Sequence, residues 1–143
     1  MEDSILRVKK LREGAIIPTR HFDDDAGLDL YSAETVVLFP GERNKIPTGI
    51  ALEVPAHTVG LIWDKSGLSN THGLKTLGGV VDAGFRGEIM VGLANLSNEP
   101  YTIERGHKVA QLLIQKIEHV RVEVVSELSL SSRGEGAFGS TGK

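Results

Sequence analysis

Apolar runs in this chain are short, keep a period of two and are closed repeatedly by Gly or Pro, which restricts the chain to β structure. Gly49 to Val54 places Ile50, Leu52 and Val54 on one side before Pro55 stops the run, and Thr58 to Trp63 follows as a second strand across a corner at 55–57. Glu88 to Leu96 is apolar on both parities, with Ile89, Val91 and Leu93 on one face and Met90, Gly92 and Ala94 on the other. Such a strand is expected to be covered on both sides, by a second sheet and with another subunit as a candidate cover. Lys108 to Ile117 is a further strong strand, and His119 to Val125 alternates Val120, Val122 and Val124 against Arg121 and Glu123. Leu6–Val8, Thr35–Phe39 and Pro100–Ile103 are weaker strands, and Leu6 to Leu11 also reads as one or two helical turns. The spacing predicts an all-β sandwich, jelly roll or barrel.

With 40% of 143 residues apolar, the chain can fill one core and not two. The predicted division is a single β domain over 1–125 and a tail over 126–143, where periodicity is lost and glycine accumulates. That tail is expected to be mobile, since it has little to bury against the entropy of ordering it. The 17 glycines, nearly 12% of the chain, exceed the usual ~7%. They mark turns or places where something approaches the backbone. The net charge of −3 supplies no field for polyanions, so duplex nucleic acid is not an expected partner. No cysteine is present, which excludes thiolate metal sites, disulfides and cysteine nucleophiles. The five His show no metal-ligand spacing. No apolar leader or membrane-length run is visible, and a cytoplasmic protein is expected.

Four segments carry residues suited to chemistry. The tail Arg133-Gly134-Glu135-Gly136-Ala137-Phe138-Gly139 contains a literal G-x-G-x-x-G, but only four residues follow, and no helix of a βαβ unit is expected there. Backbone N–H groups, Arg133, Ser140 and Thr141 instead suit a phosphate chain, and Phe138 offers a ring for a base. A disordered tail without a role fits its composition equally. Lys65-Ser66-Gly67 follows a strand end and combines cation, hydroxyl and glycine, the makings of an anion nest or of an ordinary turn. Asp82 stands between the apolar pair Val80-Val81 and a glycine-rich turn, where a carboxylate can act as general base or simply cap the turn. Asp29 lies between Leu28 and Leu30 and is expected to point inward, unlike Asp23, Asp24 and Asp25.

In chain order, these segments resemble the five motifs of the trimeric dUTP diphosphatase (dUTPase) family: 26–33, 65–68, 79–88, 106–112 and 133–142. The resemblance implies a jelly-roll-like subunit, a homotrimer with shared active sites, and Mg²⁺-dependent hydrolysis of dUTP to dUMP and pyrophosphate. By the same resemblance Asp82 activates the attacking water, Ser66 and Gly67 meet the phosphates beside Lys65, and Gln111 helps place the water. Phe85 lies under the deoxyribose, and backbone groups of the hairpin near Gly79 and Val81 read the uracil. Phe138 covers the base, while Arg133, Gly139, Ser140 and Thr141 close on the phosphates. The metal is implied to be held by phosphates and water, with Asp29 at one remove. Departures are Lys65 for the usual Arg, Phe85 for Tyr, His107-Lys108 for Asp-Arg, and Ala137 for Gly. The related dCTP deaminases need a Glu and an Arg that fall here at about Gly92 and Asn70, so deamination is disfavoured.

Overall fold

The computed structural model describes residues 4–142. Among them are ten strands and one helix: β1 (Arg7–Lys10), β2 (Leu28–Tyr31), β3 (Val36–Leu38), β4 (Arg43–Glu53), β5 (Thr58–Trp63), α1 (Ser66–His72), β6 (Leu74–Leu77), β7 (Val80–Val81), β8 (Glu88–Asn95), β9 (Tyr101–Ile103) and β10 (Lys108–Lys116). They form two four-stranded sheets, ordered β1-β4-β8-β6 and β2-β10-β5-β7, plus the pair β3-β9. All pairings are antiparallel. Ile46, Ile50, Val91 and Leu93 of the first sheet join Leu30, Ile62 and Leu112 of the second in one buried cluster. The fold is therefore all-β, two sheets facing across one core, with one short helix.

The strands expected at 58–63, 88–96 and 108–117 form with nearly those bounds. The weaker segments near Leu6, Thr35 and Pro100 also become strands, and the helical alternative for Leu6–Leu11 is not realised. Gly49–Val54 proves to be the second half of β4, whose first half escapes the pattern because Pro47 interrupts it. Proline is tolerated there because the register with β8 shifts between Pro47 and Ala51, a bulge that frees the ladder from needing its missing N–H. Gly49, at φ 72°, turns its N–H out to Glu88 Oε2 at 3.2 Å.

One expectation, the strand at 119–125, is corrected. β8 has the first of its expected covers within one chain, with Ile89, Val91 and Leu93 buried, while Met90 on the other face is 39% exposed. His119–Val125 forms no strand, and Val120, Val122 and Val124 are 77%, 88% and 95% exposed. Alternation alone cannot hold a strand. β10, from which this segment emerges, already has β2 on one side and β5 on the other, so its ladder groups are used.

The helix was not legible as more than a turn. It is closed by Gly73, at φ 69°, whose N–H reaches back to Leu68 O and Ser69 O, the left-handed stop for which glycine is suited. No helix among the described residues is long and apolar enough to cross a membrane.

Candidate active site

The chain crosses from β6, the edge strand beside β8, to β7, the edge strand beside β5, and this crossover borders an open cavity of about 820 Å³; the single hairpin expected here is not formed. Gly79, Val81, Asp82 and Phe85, all singled out in the sequence, line it together with Met90 and Gly92 of β8. Glycine is required in the link between β6 and β7. Gly79 has φ 105°, and a methyl group there would come within 2.7 Å of the Ile62 carbonyl oxygen. The same close approach lets Ile62 N–H donate to Gly79 O at 2.7 Å, which ties the β6–β7 link to β5. Past β7 the chain turns through a bond from Phe85 N–H to Asp82 O at 3.1 Å. The turn is closed by backbone, so the Asp82 carboxylate is left exposed to the cavity.

Arg43, Asn44 and Lys45 form another wall of this cavity. They were missed because they precede Pro47 in a polar stretch without alternation. Their register opposite Ala94, Leu93 and Gly92 brings them to the site.

A second group of the expected residues gathers elsewhere, at the junction of β5, α1 and β10. Ser66 and Gly67 form the exposed first turn of α1, which carries no side-chain cap. Gln111 of β10 is half-buried and donates from Nε2 to Asp64 O at 2.9 Å. Its carboxamide packs on Gly27, where a methyl group would lie 2.2 Å from Gln111 Oε1. This explains a glycine in the first segment: a side chain there would displace Gln111. Asp64 escaped the sequence reading, although it fixes this corner. Its carboxylate accepts from Lys75 Nζ at 2.6 Å and Thr76 N–H at 2.7 Å, joining the strand end to β6. Burial pushes its carboxyl up, and the bonds from Lys75 and Thr76 outweigh that, leaving it below the ordinary carboxylate range.

Asp29 points inward as expected. It does so as the acceptor of two cations, Lys65 Nζ on Oδ1 at 2.6 Å and Lys108 Nζ on Oδ2 at 3.1 Å. Two of the departures from the family pattern thus converge on one carboxylate whose side chain is 5% exposed. Lys65 is turned inward, with two of its three ammonium donors left for other partners. Burial raises the Asp29 carboxyl, and hydrogen bonds from Lys65 and then Lys108 overcome it, so the net shift is downward.

A group with a depressed folded-state pKa adds stability that is present above its unfolded value of about 3.9 and is lost as pH falls through the folded value. Asp29→Asn is therefore expected to cost about 2 kcal/mol at pH 7, by removing a charge-assisted acceptor from two lysines. The variant should also lose less stability than the parent on acidification below about pH 4. Urea unfolding at pH 7 and pH 3 measures both. Equal losses in the two proteins would show that the lysines do not hold Asp29.

Neither Ser66 nor Gln111 lines the cavity that holds Asp82 and Phe85. The tail residues Arg133, Phe138, Gly139, Ser140 and Thr141 lie in a segment without strand or helix, and Phe138 is fully exposed. Arg133 Nε donates only locally, to Gly136 O at 2.7 Å. The expected site residues therefore fall into three separate places on one chain.

Residues 13–142 match the family model for dUTPase. A deoxyuridine 5'-triphosphate nucleotidohydrolase of Clostridium kluyveri is 45% identical over 139 residues, covering 96% of this chain and 97% of that one. A protein of the same name from Clostridium tetani is 43% identical over 145 residues, with both chains fully covered. Among solved structures, the dUTPase of Staphylococcus bacteriophage 80alpha with dUpNHpp superposes with a TM-score of 0.92 at 34% identity, over 97% of this chain and 99% of that one.

Proposed function

This chain belongs to the dUTPase family, and on that premise we propose that it hydrolyses dUTP to dUMP and pyrophosphate with Asp82 as general base. The observation that carries this reading is the joint placement of Asp82, Phe85 and the backbone of Gly79 and Val81 around one cavity. Backbone donors and acceptors of the β6–β7 segment read the uracil edge, and the ring of Phe85 lies under the sugar where a 2′-hydroxyl would clash. Asp82 takes a proton from a water that attacks the α-phosphorus. The bond from that phosphorus to the bridging oxygen breaks, and pyrophosphate leaves with the electron pair. The consequence for the cell is a supply of dUMP and the exclusion of uracil from DNA.

Ser66, Gly67 and Lys65 receive the phosphates, and Gln111 orients the water or a phosphate oxygen. Their distance from the Asp82 cavity is met by a homotrimer in which each site takes the Asp82 segment from one copy, the α1 corner from another and the tail from a third. The exposed Val120, Val122 and Val124 supply apolar surface for such contacts.

dUTPases are metal-dependent, and Mg²⁺ would neutralise charge on the phosphates. Among the described residues no three His, Asp or Glu side chains are grouped to hold an ion. Both oxygens of Asp29 are occupied by lysines. The chain's residues thus do not fit a protein-held ion, and the phosphates and water are the proposed ligands.

Pyrophosphate release from dUTP, UTP, dTTP and dCTP with Mg²⁺, run in parallel, tests the reading. Release from dUTP alone is expected. Equal release from UTP and dTTP would sink the assigned pocket, and a mass change of dCTP to dUTP would restore deamination.

A further inference from the structure

Glu53 lies outside every segment assigned above, yet its carboxylate joins β1 to the loop that carries Phe85. Oε2 accepts from Arg7 Nη1 at 3.0 Å, across the register pair Arg7 and Glu53. Oε1 accepts from Arg86 Nη2 at 3.3 Å. The other terminal nitrogen of Arg86 is committed to the loop itself: Nη1 donates to Ala83 O at 2.7 Å and to Phe85 O at 3.2 Å. One guanidinium therefore ties together the two carbonyls on either side of Gly84, and Glu53 anchors its far edge. The planar fork of arginine suits this, since both nitrogens are held in fixed relation and a lysine could not bridge the same three oxygens.

The ring of Phe85 depends on the same loop. It folds over Gly87, where a methyl group would lie 2.7 Å from Phe85 Cζ. Arg86 sits between these two residues, so its direction sets both the backbone that carries the ring and the surface on which the ring rests.

We propose that Glu53 is a positioning residue for sugar selection: through Arg86 it holds the Asp82–Gly87 loop, and with it the Phe85 ring, in the pose that leaves no room for a 2′-hydroxyl. This rests on the reading of Phe85 as the floor of the sugar site. The pairs are open to solvent, with side chains 43% to 68% exposed, so they contribute little to global stability. Their effect falls on the order of the loop.

Two readouts on the full-length chain test this, amide hydrogen exchange at Phe85 and the ratio of kcat/KM for dUTP to that for UTP. Glu53→Ala is expected to speed Phe85 exchange and lower the ratio about tenfold, within the ~10²-fold that an ångström of misplacement costs. Glu53→Gln, which keeps an acceptor oxygen, should fall between it and the parent. In an Arg86→Ala background, Glu53→Ala should add nothing, because both act through one fork. Unchanged exchange, an unchanged ratio, or additive losses in the double variant overturns the proposal. A parent chain inert towards dUTP refutes the functional reading instead. Exchange at Phe85 then still decides whether Glu53 holds the loop.

Discussion

Asp82→Asn is expected to lower kcat for dUTP by about 10²–10⁴-fold, the usual contribution of a positioned general base, while KM changes little. The substitution keeps the size and shape of the side chain and removes its capacity to accept a proton from water. Folding should not suffer, because the turn at this position is closed by the backbone carbonyl of Asp82 and the N–H of Phe85. The side chain is exposed to the cavity, so no buried partner is stranded by the change. Single-turnover measurements with saturating dUTP separate the chemical step from product release. A rate constant within about threefold of the parent would exclude Asp82 as the base.

The residues that proved legible in the sequence are those whose surroundings are local. Asp82 and Phe85 are three apart on one loop, and the glycines that shape the loop are their neighbours. That continuous segment supplies one wall of the cavity, and the wall of Arg43, Asn44 and Lys45 comes from β4. Strands β5, β8 and β10 were legible because each runs six residues or more without a proline and is apolar on at least one parity. What escaped depends on partners distant along the chain. The pairing of Asp29 with Lys65 and Lys108 joins residues on β2, the β5–α1 link and β10, and no spacing in the sequence indicates it. The first half of β4 was hidden by Pro47, whose tolerance depends on a bulge opposite β8. Glu53 gave no signal, because its partners are Arg7 across a strand pair and Arg86, separated from it by β5, α1, β6 and β7. His119 to Val125 failed in the opposite sense. The valine alternation is real, but a strand also needs an edge to pair with, and the chain supplies none beside it.

Removing residues from Arg133 onward should reduce kcat/KM for dUTP by about 10²-fold or more, with a melting-temperature change below about 2 °C. The small thermal effect follows from what the tail touches. Its contacts are local: Arg133 to Gly136 O, Gly134 N–H to Ser131 Oγ at 3.1 Å and Gly142 N–H to Gly139 O at 3.0 Å. The large catalytic effect follows from what the tail can add once a nucleotide is present. Ordering eleven residues costs on the order of 10 kcal/mol, less where the local turns already exist. Stacking Phe138 on a base returns only about 1–3 kcal/mol. Closure must therefore draw on charge-assisted bonds from Arg133, Ser140, Thr141 and backbone N–H groups to phosphate, at roughly 1.5–3 kcal/mol each. On the proposed reading a triphosphate supplies enough acceptors to close the tail and dUMP does not, so the tail is expected to shut on substrate and to release product. The same arithmetic predicts that a non-hydrolysable dUTP analogue protects residues 133–142 from protease while dUMP leaves them open. Equal protection by both nucleotides, or a truncated chain with full activity, would show that the tail does not gate the site.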